Sequence, residues 1–149
     1  MTDAWEVPAQ DLIPKVAEQL KGKIGHPVWM PYVRTGVHTE RAPAQADWWY
    51  LRCASVMRKL HHLGPIGVSR LAAEYGGKKD NGSAPYHAAK GSRSVIQEAL
   101  HELEKAGLVT KRSSKGRVLS PKGQSLLQKA AKDVMSSLVA RNPALQKYL

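Results

Sequence analysis

The chain has one cysteine, only twelve acidic side chains and no apolar run that approaches a membrane span. A lone thiol, Cys53, excludes an intramolecular disulfide and any zinc site built from several cysteines, and it fits a reducing compartment. A transmembrane helix needs roughly 20 consecutive apolar residues, and none is present. The opening MTDAWEVPAQ is acidic where a secretory signal would be basic. These absences together predict an intracellular protein. Signatures of catalysis and cofactor binding are missing as well: there is no GxxxxGK[ST], no GxGxxG and no serine in a nucleophile elbow. His61 and His62 are adjacent, so on a helix they point about 100° apart and do not share one metal ion. Neither an enzyme nor a cofactor or metal site is expected.

What is abundant is positive charge. Lys and Arg number 23, giving a net charge of +11 and a pI near 10.0, the electrostatic footprint of a protein whose partner is rich in phosphate. The charge is uneven. Asp3, Glu6, Asp11 and Glu18 lie in the first eighteen residues, whereas beyond Glu104 ten Lys or Arg are opposed by Asp133 alone. The polyanion surface is therefore expected away from the N-terminus. With 149 residues and 42% hydrophobic content, the chain can build one core and reads as one domain.

Apolar spacing predicts five helices and a hairpin. A first helix, capped by Asp11 with Pro14 in its first turn, turns Ile13, Val16, Ala17 and Leu20 inward. An extended, aromatic- and proline-rich connection follows over 24–46. Asp47 is then expected to cap WWYLRCASVMRKLHHLG, with Trp49, Cys53, Val56, Leu60 and Leu63 in the core and Arg52, Arg58 and Lys59 on an open cationic face. Trp48, Trp49 and Tyr50 are read as packing rather than base-stacking residues, because large aromatics at a helix start usually pack. A short helix, VSRLAAEY, precedes GGKKDNGSAPYHAAKGSRS, whose stretch 76–91 reads as a basic, glycine-rich loop. Its glycines would allow positive φ and close backbone approach to phosphates. A helix from about Ser94 ends at Gly107, a wing-like hairpin spans 108–119 around SSKG, and Ser120-Pro121 opens a C-terminal helix over 121–141.

Helix, helix, hairpin is the order of a winged helix. The fold class is therefore mainly α: a winged-helix-like helical core with a short β-hairpin, in a single domain spanning 1–149. A winged-helix DNA-binding transcriptional regulator is one reading of that order, and a protein-interaction module is another. In a groove-reading regulator the second helix would have to pass two rows of phosphates, yet the helix from Ser94 offers Gln97, Glu98, His101, Glu102 and Lys105, with Glu104 nearby. Positive charge sits instead on the preceding loop, on the hairpin and on the Asp47-capped helix. A dispersed surface of this kind suits a folded RNA, recognised by shape, phosphates and 2′-hydroxyls.

Three stretches carry a family resemblance: TGVHTERAP, DWWYLRCAS and YGGKKDNGSAPYHAAKGSRS. They resemble, in the same order, the hallmark motifs of the archaeal and eukaryotic S-nineteen-e family of small-subunit ribosomal proteins. The match extends over nearly the whole chain, with departures at Thr39, where lysine is usual, and at Gln97-Glu98, where basic residues are frequent. The resemblance implies a structural constituent of the head of the small ribosomal subunit that binds ribosomal RNA, has a part in maturation of that RNA, and resides on cytoplasmic ribosomes beside other ribosomal proteins, monomeric when free. Candidate RNA contacts are Arg34, His38 and Arg41 in the connection; Arg52, Arg58 and Lys59 on the helix; Lys78, Lys79, Asn81, Lys90 and Arg93 in and after the loop; and Lys111, Arg112, Lys115 and Arg117 on the wing. As surface residues, Arg52 and Arg58 are expected to tolerate replacement by glutamate at no more than roughly 0.5 kcal/mol of stability.

Overall fold

A computed structural model describes residues 3–148. Five helices, α1 (Ala9–Leu20), α2 (Trp48–Leu63), α3 (Val68–Glu74), α4 (Arg93–Lys105) and α5 (Pro121–Arg141), are accompanied by two antiparallel hairpins, β1 (Gly77–Asn81) with β2 (Ala84–Ala89) and β3 (Val109–Lys111) with β4 (Arg117–Leu119). The architecture is mainly α. No described helix is long and apolar enough to cross a membrane.

α2 forms the centre of the core. Its inner face buries Trp49, Cys53, Val56, Met57 and Leu60, against Leu12, Val16 and Leu20 of α1, Ile96, Leu100 and Leu103 of α4, and Leu127, Ala130 and Ala131 of α5. The indole Nε1–H of Trp49 donates to the Gly25 carbonyl at 3.1 Å, and its ring meets Trp29 and Trp48 edge-on. The aromatic cluster at the start of α2 thus packs, as its position predicted. Cys53 lies in the same stripe, where burial pushes its thiol pKa up and keeps it an un-ionised apolar side chain.

The winged-helix order is visible in α2, α3, α4, β3 and β4. Ile66 exchanges both backbone hydrogen bonds with Arg117, at 3.2 and 3.0 Å, and so adds a short third rung to the wing. Ser120 closes the wing onto α5: its hydroxyl donates to the Gly107 carbonyl at 2.7 Å and accepts from the Gly123 amide at 3.1 Å. α4 begins one residue earlier than expected, because Ser92 supplies the cap by accepting from the Val95 amide. Gly107, with φ of 74°, ends it.

Several local expectations are corrected. Asp47 stands at the start of α2, but its side chain caps nothing; the carboxylate reaches Lys21 at 3.2 Å and ties α1 to α2. α1 starts at Ala9 rather than at an Asp11 cap, which places Pro14 inside the helix. There its missing N–H leaves the Gln10 carbonyl without the usual intrahelical donor. Leu12, more than Ile13, completes the buried face of α1, and Leu63, in the last turn of α2, is exposed rather than in the core.

The largest correction concerns 76–91, which is a second hairpin and not an irregular loop. The turn is Gly82-Ser83, with Gly82 at φ 72°, the Asp80 carboxylate accepting from the Gly82 amide at 2.8 Å, and the Asn81 amide donating to the Pro85 carbonyl at 3.1 Å. Gly-Ser between two extended runs is a two-residue hairpin signal. It is masked here because GKKDN has neither alternating polarity nor β-branched residues. Gly76 and Gly77 do not have positive φ. A Cβ on Gly76 would lie 2.4 Å from the Ala89 carbonyl oxygen, and one on Gly77 2.7 Å from the His38 ring. These glycines let the hairpin base close on its own chain.

Candidate nucleic-acid interface

α3, the 24–46 connection and the β1–β2 hairpin are laced together at the glycine base. Gly36 bridges Gly91, the Ser92 amide donates to the Thr35 carbonyl at 2.9 Å, and the Gly91 amide donates to that of Ala72 at 2.8 Å. Two open grooves result. The first, about 420 Å³, lies between the connection and α2 and is lined by Thr35, Thr39, Arg41, Trp48, Arg52, Ser55 and Tyr75 among others. The second, about 370 Å³, lies between the connection and the hairpin and is lined by Arg34, His38, Thr39, Lys79 and Asp80 among others. Thr39 belongs to both, so the two form one continuous surface.

Arg52 is the most constrained cation of this surface. Its guanidinium lies 4.2 Å from the centroid of the Tyr75 ring, and Tyr75 is fixed through its hydroxyl to Ser55 at 2.8 Å. Burial lowers the Arg52 pKa and pushes that of Tyr75 up to about 12. The Arg52 Nη1 is shut off from solvent and has no hydrogen-bond partner within the protein. Arg52 also lines the first groove, so its guanidinium, held on the Tyr75 ring, lends that groove positive charge while the Nη1 donor itself stays enclosed.

Arg58 is placed otherwise. Its guanidinium stands 4.0 Å from the Trp5 ring, which also stacks on His62 at 3.5 Å, while His61 and Asp3 pair at 2.6 Å. The N-terminal segment therefore straps the outer face of α2. Desolvation lowers the Arg58 pKa, and its Nε is buried without a partner. Lys59 donates to Glu74 at 2.9 Å, pinning α2 to α3. The expected open cationic face is thus half-buried and largely engaged. We expect Arg52→Glu to destabilise the fold on the order of 1–3 kcal/mol and Arg58→Glu by about 1 kcal/mol, the former by burying an anion on an aromatic face and the latter by losing the indole contact. Thermal melts measure this. Shifts indistinguishable from those of exposed positions would return both residues to the solvated face.

On the hairpin side, Lys78, Lys79, Asn81, Lys90 and Arg93 are all exposed. Arg34 is exposed too and donates to the Thr39 carbonyl at 3.0 Å, which holds the connection in its turn. His38 is packed between Gly36 and Gly77, with its Nδ1 buried and unpartnered, and serves as a wedge at the hairpin base. Lys90 leans toward the Ser69 hydroxyl at 3.4 Å.

The wing presents Lys111, Arg112 and Lys115 to solvent. Arg117 differs: its Nε donates to Glu104 at 2.8 Å, so it fixes the wing to α4. A third groove, about 560 Å³, separates the wing from α3 and includes Ser69, Arg70 and Lys115 in its lining. Arg70 was missed by sequence reasoning. Its signal was available, since it is the one cation of a seven-residue helix. Two of the three carboxylates of α4 have internal uses: Glu104 holds Arg117, and Glu102 pairs with Lys105 at 2.8 Å. The hydrogen bond from Lys105 holds the Glu102 carboxyl below its ordinary pKa.

A family model described as Ribosomal protein S19e matches residues 3–137. Among curated relatives, small ribosomal subunit protein eS19 of Thermoplasma acidophilum is 51% identical over the full length of both chains. That of Aeropyrum pernix is 45% identical, also over the full length of both. The eS19A protein of Schizosaccharomyces pombe is 39% identical over 85% of this chain and 89% of its own. With such a match running from the N-terminal strap into the last helix, the chain belongs to the ribosomal protein S19e family.

Proposed function

We propose that this protein is a non-enzymatic structural constituent of the small ribosomal subunit that binds ribosomal RNA. Its place is the subunit head of cytoplasmic ribosomes, beside other ribosomal proteins, and it takes part in maturation of the small-subunit RNA; free in solution it is a monomer. The observation that carries the RNA reading is the distribution of exposed cations. They are spread over the connection (Arg34, Arg41), the β1–β2 hairpin and its base (Lys78, Lys79, Lys90, Arg93), α3 (Arg70), the wing (Lys111, Arg112, Lys115) and α5 (Lys122, Lys129, Lys132, Arg141) rather than gathered on α4. Charge dispersed in this way suits an irregular folded backbone better than a straight major groove.

The DNA-binding regulator gains no support. The relatives are named as ribosomal proteins, and α4 carries Glu98, Glu102 and Glu104 where groove readers need neutral or cationic side chains. Competition binding decides between the two. Labelled small-subunit ribosomal RNA should be displaced by the same RNA at least tenfold more readily than by duplex DNA of mixed sequence, and nucleotide protection should cluster on folded RNA. Equal displacement by duplex DNA would defeat the RNA reading.

A further inference from the structure

The β1–β2 hairpin stands on its glycine base with both faces in solvent: Lys78 to Asn81 and Ala84 to Ala88 are all exposed. A lone two-stranded hairpin is marginal in water. This one nevertheless carries an aromatic ring on its exposed surface, Tyr86, which is 52% exposed. Lys78 pairs in register with Ala88, two residues from Tyr86 and on the same face, and its Nζ reaches diagonally to 4.4 Å from the ring centroid. Among the described residues no other ring stacks on Tyr86.

We propose that Tyr86 is a stacking platform for an unpaired base of the bound RNA, with Lys78 and Lys79 meeting the phosphates that flank that base. This rests on the ribosomal RNA reading and adds a base contact to a surface otherwise built for phosphates. A nucleotide offers a flat π-face and an anion within one unit, and Tyr86 with Lys78 offers the complement of both. Charge selects this occupant over an apolar protein partner. Lys78 stands over the ring, Lys79 lies on the other face of the same arm, Lys90 and Arg93 follow at its base, and the single acid of the hairpin, Asp80, is occupied in the turn by the Gly82 amide. The position suits stacking mechanically, because a protruding arm reaches a base that the globular body cannot approach.

The test uses the full chain and a transcript of small-subunit ribosomal RNA, titrated at several salt concentrations. Tyr86→Ala should weaken binding by roughly 5- to 150-fold, the range of one base–aromatic stack. The slope of log K against log salt should stay unchanged, because no phosphate contact is lost. Tyr86→Phe should bind like the parent, while Tyr86→Leu, apolar but without a π-face, should fall close to Tyr86→Ala. Lys78→Ala should flatten the slope. If Tyr86→Ala binds like the parent while Lys78→Ala still flattens the slope, stacking is wrong and the RNA reading stands. If the parent itself shows no salt-dependent affinity for the RNA, both fall. Should Tyr86→Ala bind the RNA normally yet be lost from assembled subunits, the ring meets a protein and the proposal is overturned.

Discussion

Raising salt from 50 to 200 mM should lower the affinity of this protein for small-subunit ribosomal RNA by about 10³–10⁵. That estimate corresponds to six to ten neutralised phosphates, each contributing roughly 0.7 to 0.9 to the slope of log K against log salt through counterion release. The exposed cations suffice: Arg34, Arg41, Lys78, Lys79, Lys90, Arg93, Lys111, Arg112 and Lys115 all face solvent. Arg117 and Lys59 are engaged by Glu104 and Glu74 and should add little. Arg117→Gln should accordingly leave the slope almost unchanged, whereas replacing Lys111 and Arg112 together should reduce it by about 1 to 2. Filter binding or anisotropy over a salt series measures both. A flat dependence would mean that the basic surface faces protein, and the net charge of +11 would then need another explanation.

Leu60→Ala should have the opposite profile. Leu60 is 2% exposed and lies on the inner face of α2 with Val56 and Met57. Truncation removes its transfer free energy and leaves a cavity that the surrounding helices cannot fully close. The expected loss is about 2 to 5 kcal/mol, a fall in melting temperature of about 5–20 °C for a chain of this size. The folded fraction should bind RNA with the parental affinity and salt slope, because none of the exposed cations packs on Leu60. Denaturant unfolding together with RNA titration on one preparation tests the two halves. A loss under about 1 kcal/mol would show that the inner stripe of α2 is not the keystone of the core. Parental stability with weakened binding would move Leu60 to the interface.

These two experiments separate what holds the chain together from what it holds. Arg52 lies between them, packed on Tyr75 like a core side chain while also lining a groove. Its replacement should therefore register in both measurements. The Asp3–His61 pair is a smaller case of the same coupling. Hydrogen bonding by His61 holds the Asp3 carboxyl below its ordinary pKa, so the stability it contributes is present at neutral pH and is lost as pH falls through that lowered value.

Helical periodicity and chemical punctuation by themselves determined the helical core, the wing and the last helix. The stripe Trp49, Cys53, Val56 and Leu60, the Ser120-Pro121 start and the Gly107 stop each express a local rule that the tertiary structure obeys. Net charge and its gradient likewise pointed to a polyanion partner, since composition does not depend on folding. What only the tertiary structure decided is which charges remain free. Arg117 and Lys59 look like Lys115 and Lys79 in the sequence, yet carboxylates distant along the chain, Glu104 and Glu74, neutralise them. Trp5 covers Arg58 across more than fifty residues of chain. The β1–β2 hairpin escaped periodicity because neither of its faces is buried, so no apolar alternation was required of it. The close approach of Gly76 to the Ala89 carbonyl exists only once the hairpin has closed. Local patterns report a residue's preference for water or for a core; pairing between distant side chains is set by the packing that brings them together.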